Sequence, residues 1–169
     1  MLETRPTKFP DVTIVAPVVF ADARGLFKEV FSRGEYARIG IASAFVQDNV
    51  SLSRKGVLRG LHYDLRMGKL VQCLSGRIFD VFVDMREGSP TRYRWDSIEL
   101  TGENHLQVYL PPGFAHGFYT LSDEAVVLYK QSATYDPAYE RAIGWRDGRI
   151  GVTWPLDGEP ILSPKDAAL

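Results

Sequence analysis

The sequence predicts a mainly β protein that folds as a sandwich or a barrel. Its 169 residues contain many short segments rich in Val, Ile, Phe and Tyr, the residues that favour strands. Gly, Pro, Asn, Asp and Ser separate these segments at short intervals, as in all-β domains. The predicted strands cover residues 12–16, 18–21, 25–31, 45–53, 57–63, 69–74, 76–85, 92–100, 105–110, 117–120, 126–132 and 151–153.

Residues 78–86 alternate as a strand does, with neighbouring side chains on opposite faces. One face is wholly apolar, whereas the other combines two acids with apolar and aromatic residues. The acids face either solvent or a polar cavity beside a second sheet, and alternation leaves both interpretations open. The apolar face holds Phe79, Val81, Val83 and Met85, and the mixed face holds Ile78, Asp80, Phe82 and Asp84.

One short helix is predicted after Ser32, a typical N-cap residue. Glu35 stands where a capping box places an acid, and Gly40 can end the helix. Weaker helical signals occur at residues 138–143 and at the C-terminal end. The tail after Trp154 contains three prolines, which predict an extended arm that packs on the body.

Length and composition predict a single domain, residues 1–169, of ordinary globular character. The formal net charge of -1 gives no basic surface, so nucleic acid is not expected as a partner. The single cysteine, Cys73, excludes an intrachain disulfide and is interpreted as a small buried hydrophobe. A signal peptide and a membrane-length apolar run are both absent from the sequence, so we expect a cytoplasmic location and no membrane partner.

The segment from Arg59 to Tyr63 concentrates groups that bind anions and move protons. Arginine holds a phosphate or carboxylate with two bonds, and histidine transfers protons at neutral pH. Arg59 and His62 are three residues apart, so a regular strand would point them to opposite faces. Gly60 between them predicts a β-bulge that turns both side chains to one side.

Other polar groups stand in strand-like sequence and have a functional and a structural interpretation. His116 follows a turn of two prolines and a glycine, where it either lines the mouth of a barrel or has no task. Gln47 and Asn49 point the same way and either read a ligand or form a polar edge. Tyr129 and Tyr135 either act on a ligand or pack.

The histidines lack the spacing of a zinc or iron site, because Asp64 follows Tyr63 where a second histidine would be needed. A metal is therefore not expected. A phosphate-binding glycine loop and a dinucleotide fingerprint are also absent from the sequence.

Six blocks of sequence together resemble the dTDP-4-dehydrorhamnose 3,5-epimerase family. They run from about residue 20 to residue 166, which is nearly the whole chain, and six ordered blocks are far more specific than one motif. The resemblance implies a cupin-like double-stranded β-helix, or jelly roll, with a few short helices. The blocks are DARGLFKEVF, QDNVSLSRKGVLRGLHYDL, KLVQCLSGRIFDVFVDMREGSPT, LPPGFAHGFYTLS, LYKQSATYDPAYE and ILSPKD.

The resemblance also implies a role for each matching residue. His62 is similar to the base that removes a proton from the sugar ring, and Asp166 to the carboxylate that orients this base. Tyr129 matches the acid on the opposite face, and Lys69 matches the lysine that stabilises the enolate. The positions that match substrate-binding residues are Arg24, Glu29, Gln47, Asn49, Arg59, His116, Tyr135, Glu140 and Lys165.

The resemblance further implies a homodimer. Tyr135 looks like the residue that stacks on the nucleotide base. Arg24 and Glu29 are similar to residues that reach the neighbouring subunit's site, and the N-terminal strands are candidates for exchange at the dimer interface.

The implied reaction inverts C3 and C5 of dTDP-4-keto-6-deoxy-D-glucose and gives dTDP-4-keto-L-rhamnose through an enolate. Such a reaction needs neither a redox cofactor nor a metal, so no cofactor is expected. Between His62 and Lys69 the chain is about three residues shorter than the resemblance leads us to expect, and it stops three residues after Asp166. A single-centre epimerase, or an epimerase of another nucleotide-linked 4-keto sugar, is therefore an alternative. Further alternatives are a non-catalytic sugar-nucleotide-binding jelly roll, a metal-dependent cupin and a sugar ketoisomerase.

Overall fold

The computed structural model describes residues 2–169, which contain thirteen short strands and two short helices joined by turns and irregular segments. The helices are α1 (Arg33–Arg38) and α2 (Pro164–Ala167). The strands are β1 (Glu3–Pro6), β2 (Thr13–Ala16), β3 (Val19–Asp22), β4 (Gly25–Lys28), β5 (Gln47–Arg54), β6 (Leu58–Tyr63), β7 (Lys69–Ser75), β8 (Arg77–Asp84), β9 (Trp95–Thr101), β10 (Gln107–Leu110), β11 (Phe114–Thr120), β12 (Glu124–Gln131) and β13 (Arg141–Ala142).

The strands form two large antiparallel sheets and a separate hairpin. The six-stranded sheet has the order β1-β2-β10-β7-β12-β5, and the five-stranded sheet has the order β13-β6-β11-β8-β9. Strands β3 and β4 pair only with each other among the described residues. The prediction of a mainly β protein with a few short helices is confirmed. None of the helices in residues 2–169 is long and apolar enough to cross a bilayer.

The main core lies between the two large sheets. Val71 and Val127 of the six-stranded sheet pack with Phe82 and Phe118 of the five-stranded sheet, and all four are buried. Cys73 belongs to the same cluster and is fully buried, as its interpretation as a small hydrophobe requires. This burial holds the two sheets face to face and fixes the space that remains between them.

The strand β8 separates two apolar clusters, as its alternation predicts. Val81 and Val83 belong to a second cluster, on the other face of the five-stranded sheet, against which Trp154 packs. Asp80 and Asp84 are fully buried, so the interpretation that these acids face solvent is wrong. Asp84 accepts hydrogen bonds from Arg86, Ser89 and Thr91, and although burial opposes it, these bonds lower the pKa of Asp84.

Several local predictions differ from the structure. Residues 151–153 form no strand. Val152 packs against the second apolar cluster, and this segment does not pair with a neighbouring strand. Helix α1 follows Ser32 as predicted, but the Ser32 side chain makes no capping hydrogen bond. The helical signal at residues 138–143 is also wrong, since this region contains the strand β13, which pairs with β6.

A β-bulge interrupts β6, as predicted from Gly60. Pairing of β6 with β11 joins His62 to His116 and then Arg59 to Phe118, so three steps on β6 match two steps on β11. Gly60 has a φ of 122°, which favours glycine. A Cβ atom on Gly60 would lie 2.5 Å from the Cα atom of Gly117, so the two strands can approach only if this position lacks a side chain.

Replacement of Gly60 by alanine is expected to destabilise the fold by more than about 2 kcal/mol, since it adds both backbone strain and a clash with β11. Gly34→Ala is the matched control, because Gly34 lies in α1 with open space around its Cα atom. That change should stabilise by up to about 1 kcal/mol. Urea unfolding measures both, and equal midpoints for Gly60→Ala and the wild type would contradict this account of the bulge.

Candidate active site

A cavity of about 530 Å³ opens between the two large sheets. Strands β5, β7 and β12 supply one wall, and strands β6 and β11 supply the other, while the C-terminal segment adds residues at the rim. Such a concave site with convergent polar groups is typical of a small-molecule site. Nine of the residues singled out in the sequence line it: Asn49, Arg59, His62, Lys69, His116, Tyr129, Tyr135, Glu140 and Asp166.

His62 is paired with a buried carboxylate. Its Nε2 atom lies 2.5 Å from Oδ1 of Asp166, which is only 3% exposed. The Asp166 backbone N–H donates to the Ser163 hydroxyl, which caps α2 and fixes the acid. Because Nε2 donates its hydrogen to this carboxylate, the lone pair of the neutral ring lies on Nδ1. The pair therefore fixes the orientation of the ring and leaves Nδ1 able to accept a proton.

Glu140 brings a second carboxylate to the other side of the His62 ring, with its Oε1 atom 3.7 Å from Nδ1. Lys165 forms an ion pair with Glu140, and the Tyr135 hydroxyl donates to the same carboxylate at 3.0 Å. Partial burial opposes the shift, but these partners lower the pKa of Glu140. Glu140 is therefore ionised and joins the rim of the cavity to the base.

Lys69 places an ammonium group in the cavity wall, where its Nζ atom donates to the His62 carbonyl at 3.1 Å. Desolvation lowers the pKa of Lys69 from its ordinary 10.5 to about 8, against the attraction of Glu140, Asp80 and Asp64. An ammonium in such a site strongly attracts any negative charge that develops nearby.

Tyr129 stands on the opposite wall from His62, on the strand β12 of the six-stranded sheet. Its hydroxyl shares a hydrogen bond of 2.8 Å with the Ser51 hydroxyl. Enclosure between the sheets raises the pKa of Tyr129, although the Ser51 hydrogen bond and the charge of Arg59 oppose the shift. The phenol therefore holds its proton at neutral pH, as a proton donor must.

His116 forms a second histidine–carboxylate pair. Its Nε2 atom lies 2.7 Å from Oδ2 of Asp80, and both side chains are buried. Burial raises the pKa of Asp80 against the attraction of His116. Its other oxygen, Oδ1, has no hydrogen-bond partner among residues 2–169. The His116 ring centre is 6.1 Å from that of Tyr129, so this pair adjoins the phenol.

Four predicted site residues do not line the cavity. Gln47 is just behind it, where its amide donates to Asn49 and its carbonyl accepts the Tyr135 backbone N–H. Lys165 touches the rim through Glu140. Arg24 is at the tip of the β3–β4 hairpin, paired with Asp22 and 90% exposed, and Glu29 also falls outside the cavity of its own chain.

Three further residues support the site without a predicted role. Alternation alone leaves two interpretations open for Asp80, and only the pairing of β8 with β11 brings it to His116. Ser51 shares a strand face with Gln47 and Asn49, so alternation was a usable signal for it. Ser163 precedes Pro164, a typical start of a helix, which was a usable signal for the cap that holds Asp166.

The chain is a two-sheet β protein of the jelly-roll class, with a small-molecule cavity between the sheets and His62 and Tyr129 on opposite walls of it. A sequence model of the dTDP-4-dehydrorhamnose 3,5-epimerase family matches residues 6–169. The chain belongs to this family, as the sequence blocks predict.

Individual relatives and solved structures support the assignment of the chain to this family. The chain is 49% identical to the dTDP-4-dehydrorhamnose 3,5-epimerase of Neisseria gonorrhoeae over 96% of its own length, and it spans 50% of that relative. A crystal structure of dTDP-6-deoxy-D-glucose-3,5-epimerase from Legionella pneumophila in complex with dTDP-4-keto-L-rhamnose is 46% identical, with a TM-score of 0.96. That match covers 99% of this chain and 91% of the Legionella chain. The cupin-like jelly roll and the epimerase class expected from the sequence are thereby confirmed.

A third similar protein is described as a monoepimerase. The structure of a 3'-monoepimerase from Streptomyces bikiniensis in complex with dTDP-quinovose has a TM-score of 0.89 and 36% identity, and the match covers 96% of this chain and 84% of that one. The same architecture is therefore found in proteins described as double and as single epimerases.

Lys69→Met is expected to stabilise the protein near pH 7 by about 1–3 kcal/mol, because the native state no longer encloses a charge. Below pH 8 the folded and unfolded chains both hold the Lys69 proton. Between about pH 8 and 10.5 only the unfolded chain holds it, so wild-type stability gains relative to the variant as pH rises.

Urea unfolding of both proteins at pH 7 to 10 measures this difference. Lys55→Met is the matched control, because Lys55 is an exposed lysine paired with Asp157 at 3.2 Å. The difference in free energy of unfolding between the wild type and Lys69→Met should decrease above pH 8. A difference that stays constant with pH would contradict the lowered pKa of Lys69.

Proposed function

We propose that this protein inverts C3 and C5 of dTDP-4-keto-6-deoxy-D-glucose by removing and returning protons through an enolate, and releases dTDP-4-keto-L-rhamnose. The observation that carries the proposal is the position of His62 with Asp166 on one sheet and Tyr129 on the facing sheet, at a single cavity. Inversion requires that a proton leaves from one side of the carbon and arrives from the other.

His62 removes the proton. Hydrogens on C3 and C5 are weakly acidic because the anion spreads onto the neighbouring C4 carbonyl. The lone pair on Nδ1 accepts the proton, and the Asp166 carboxylate stabilises the imidazolium that forms. The nearby Glu140 carboxylate, 3.7 Å from Nδ1, also favours the charged ring.

Lys69 stabilises the enolate. The C4 oxygen gains negative charge as the proton leaves, and a fixed donor at this oxygen lowers the barrier. The Lys69 ammonium has one hydrogen bound to the His62 carbonyl, which leaves two for the ligand. Because its pKa is about 8, the group is mainly protonated at neutral pH.

Tyr129 returns a proton to the opposite face. Its raised pKa keeps the phenol neutral until the enolate carbon accepts the hydrogen. The phenolate that forms then benefits from the Ser51 hydroxyl and from the charge of Arg59. A second round at the other carbon repeats the same two transfers, after bulk solvent has restored both groups.

The nucleotide occupies the rim. Tyr135 is 49% exposed and presents its ring as a platform for the base. Arg59 donates to the Ser53 hydroxyl through Nε, which leaves guanidinium hydrogens for the diphosphate. Asn49 and His116 line the cavity between these groups and contact the ligand, with Gln47, Glu140 and Lys165 as supports at the rim.

A single-centre epimerase is the second candidate, favoured by the likeness to the Streptomyces monoepimerase. The base, acid and lysine serve either reaction, so the difference depends on how the ring can turn between steps. A non-catalytic binder has no need for an acid and a base on opposite walls.

Solvent deuterium should enter both C3 and C5 when the protein acts on dTDP-4-keto-6-deoxy-D-glucose in deuterated water, as located by NMR. His62→Ala should lower exchange about 100-fold or more, since the base is lost. Tyr129→Phe should impair inversion more than exchange, because His62 still removes the proton.

Controls are available for both variants. His105→Ala removes a histidine outside the cavity, and Tyr109→Phe removes a hydroxyl that shares a 2.8 Å hydrogen bond with Ser43, as Tyr129 does with Ser51. Both should keep wild-type rates. Undiminished exchange in His62→Ala would contradict the proposed base, and label at one carbon only would favour the single-centre candidate.

We also infer a homodimer in which each chain completes its partner's site. The β3–β4 hairpin exposes apolar side chains, with Phe20 61%, Leu26 54% and Phe27 69% exposed. The edge strand β5 exposes Val50 and Leu52 to 63% and 58%. Such exposure on a hairpin and on a sheet edge is typical of a surface that another chain covers.

In such a dimer, Arg24 and Glu29 of one chain would lie near the cavity of the other chain. The inward face of β5 lines the cavity through Asn49, while its outer edge ends the six-stranded sheet. A partner hairpin packed beside β5 would carry Arg24 to this cavity, where its guanidinium adds positive charge for the diphosphate.

Sedimentation should show twice the chain mass of 19.0 kDa. Arg24→Ala and His62→Ala proteins, each weakly active, should regain about one quarter of wild-type activity when co-refolded in equal amounts, since half of the dimers are mixed and each holds one intact site. A mixture as inactive as its components would contradict donation of Arg24 between chains.

A cytoplasmic location stays a prediction. Fractionation of cells that express the full-length protein tests it.

A further inference from the structure

We propose that Arg66 is a positioning residue that fixes the nucleotide-binding rim by stacking on Tyr139. The inference rests on the proposed function and deepens it, since it assigns affinity for the nucleotide to a contact outside the cavity. Arg66 belongs to the short loop between His62 and Lys69, and Tyr139 belongs to the irregular segment 133–140 between β12 and β13.

Arg66 is rigidly held at its own end. Its Nε and Nη2 atoms donate to the two carboxylate oxygens of Asp64 at 3.1 and 2.7 Å, and its backbone N–H donates to the same carboxylate at 2.7 Å. The Asp64 carbonyl accepts the Gly113 N–H at 3.2 Å, which ties the loop to the start of β11. Asp64 is 5% exposed, so this two-bond fork between its carboxylate and the Arg66 guanidinium keeps one orientation.

The free face of this guanidinium covers the Tyr139 ring. The central carbon of Arg66 lies 3.5 Å from the ring centre, which is the distance of direct stacking. Tyr139 is 51% exposed, so the chain gives its ring little other support. A planar guanidinium that is already fixed by a carboxylate loses little freedom in such a contact.

Segment 133–140 carries the groups that the rim needs. Tyr135, the proposed platform for the base, and Glu140, which faces His62, both lie in it and line the cavity. The segment is held at one end by the Tyr135 N–H on Gln47 and at the other by the ion pair of Glu140 with Lys165. The stack of Arg66 on Tyr139 is a further contact between these two ends.

The contact therefore links the length of the loop to the binding of the ligand. Arg66 follows His62 by four residues, so the loop places its cation beside the rim only while the Asp64 fork keeps its geometry. Loss of the stack would loosen the middle of segment 133–140 and leave Tyr135 held only by its bonds to Gln47 and Glu140, without moving His62, Lys69 or Tyr129. Nucleotide affinity should fall, while the chemical step is retained.

Isothermal titration with dTDP and steady-state kinetics with the keto sugar test this role. Arg66→Ala and Tyr139→Ala should each weaken dTDP binding and raise KM roughly tenfold, with kcat within about twofold of wild type. The double variant should match the single ones, because both remove the same contact. Tyr139→Phe retains the ring and should behave as wild type.

Arg149→Ala is the matched control. Arg149 holds Asp147 by the same fork, at 3.0 and 2.7 Å, and its guanidinium lies over Tyr93 at 5.2 Å, outside the cavity. Its dTDP binding should be unchanged. If Arg66→Ala and Tyr139→Ala bind dTDP as tightly as wild type, even with a lowered melting temperature, the positioning role is overturned. A wild-type protein that fails to bind dTDP would overturn the proposed function and this inference together.

Discussion

The distance between the two large sheets governs the site, because it separates His62, the proposed base, from Tyr129, the proposed acid. His62 lies on the five-stranded sheet and Tyr129 on the six-stranded sheet, and the core between the sheets fixes the gap that separates them. A flat ring that enters this gap meets an imidazole on one side and a phenol on the other. Packing of the core therefore sets the stereochemistry that the site can achieve.

Local and long-range features together build the cavity wall that carries His62. On the His62 wall, the bulge at Gly60 turns Arg59 and His62 to the same cavity, so one strand supplies both an anion-binding cation and a base. Asp166 reaches His62 from 104 residues away because the C-terminal segment pairs beside β6 through Ile161. The His62–Asp166 pair is thus assembled by tertiary structure, and the partner of His62 cannot be identified from local spacing.

Exclusion of water from the site shifts the pKa values of its titratable groups. The Lys69 ammonium is held where desolvation makes it a weaker base, and the phenol of Tyr129 is held where desolvation makes it a weaker acid. In the proposed reaction, an enolate oxygen beside Lys69 would supply an anion for the enclosed ammonium. The charge of Arg59 would stabilise the phenolate left on Tyr129 after proton delivery.

Sequence reasoning reached much of the fold because alternation and turn residues are local signals. The two faces of β8 and the bulge at Gly60 could both be derived from neighbouring residues. The partner of Asp80 could not, since it depends on the pairing of β8 with β11. Residues 151–153 have strand-like composition but cover a sheet without pairing, and composition cannot separate these two environments.

The nine predicted residues that line the cavity are identified by the sequence blocks, whereas Arg24 lies on the exposed β3–β4 hairpin and Glu29 lies outside the cavity. The role proposed for these two residues requires a second copy of the chain, which local sequence cannot position. The stack of Arg66 on Tyr139 is also beyond local reasoning, because it joins two irregular segments that have no periodic pattern.

A crystal structure with dTDP-4-keto-L-rhamnose bound would show where His62 and Tyr129 lie relative to the sugar. Nδ1 of His62 and the hydroxyl of Tyr129 are expected on opposite faces of the pyranose, each within about 3.5 Å of the carbon whose proton it transfers. Both groups on the same face, or a phenol well beyond contact with the sugar, would contradict this expectation.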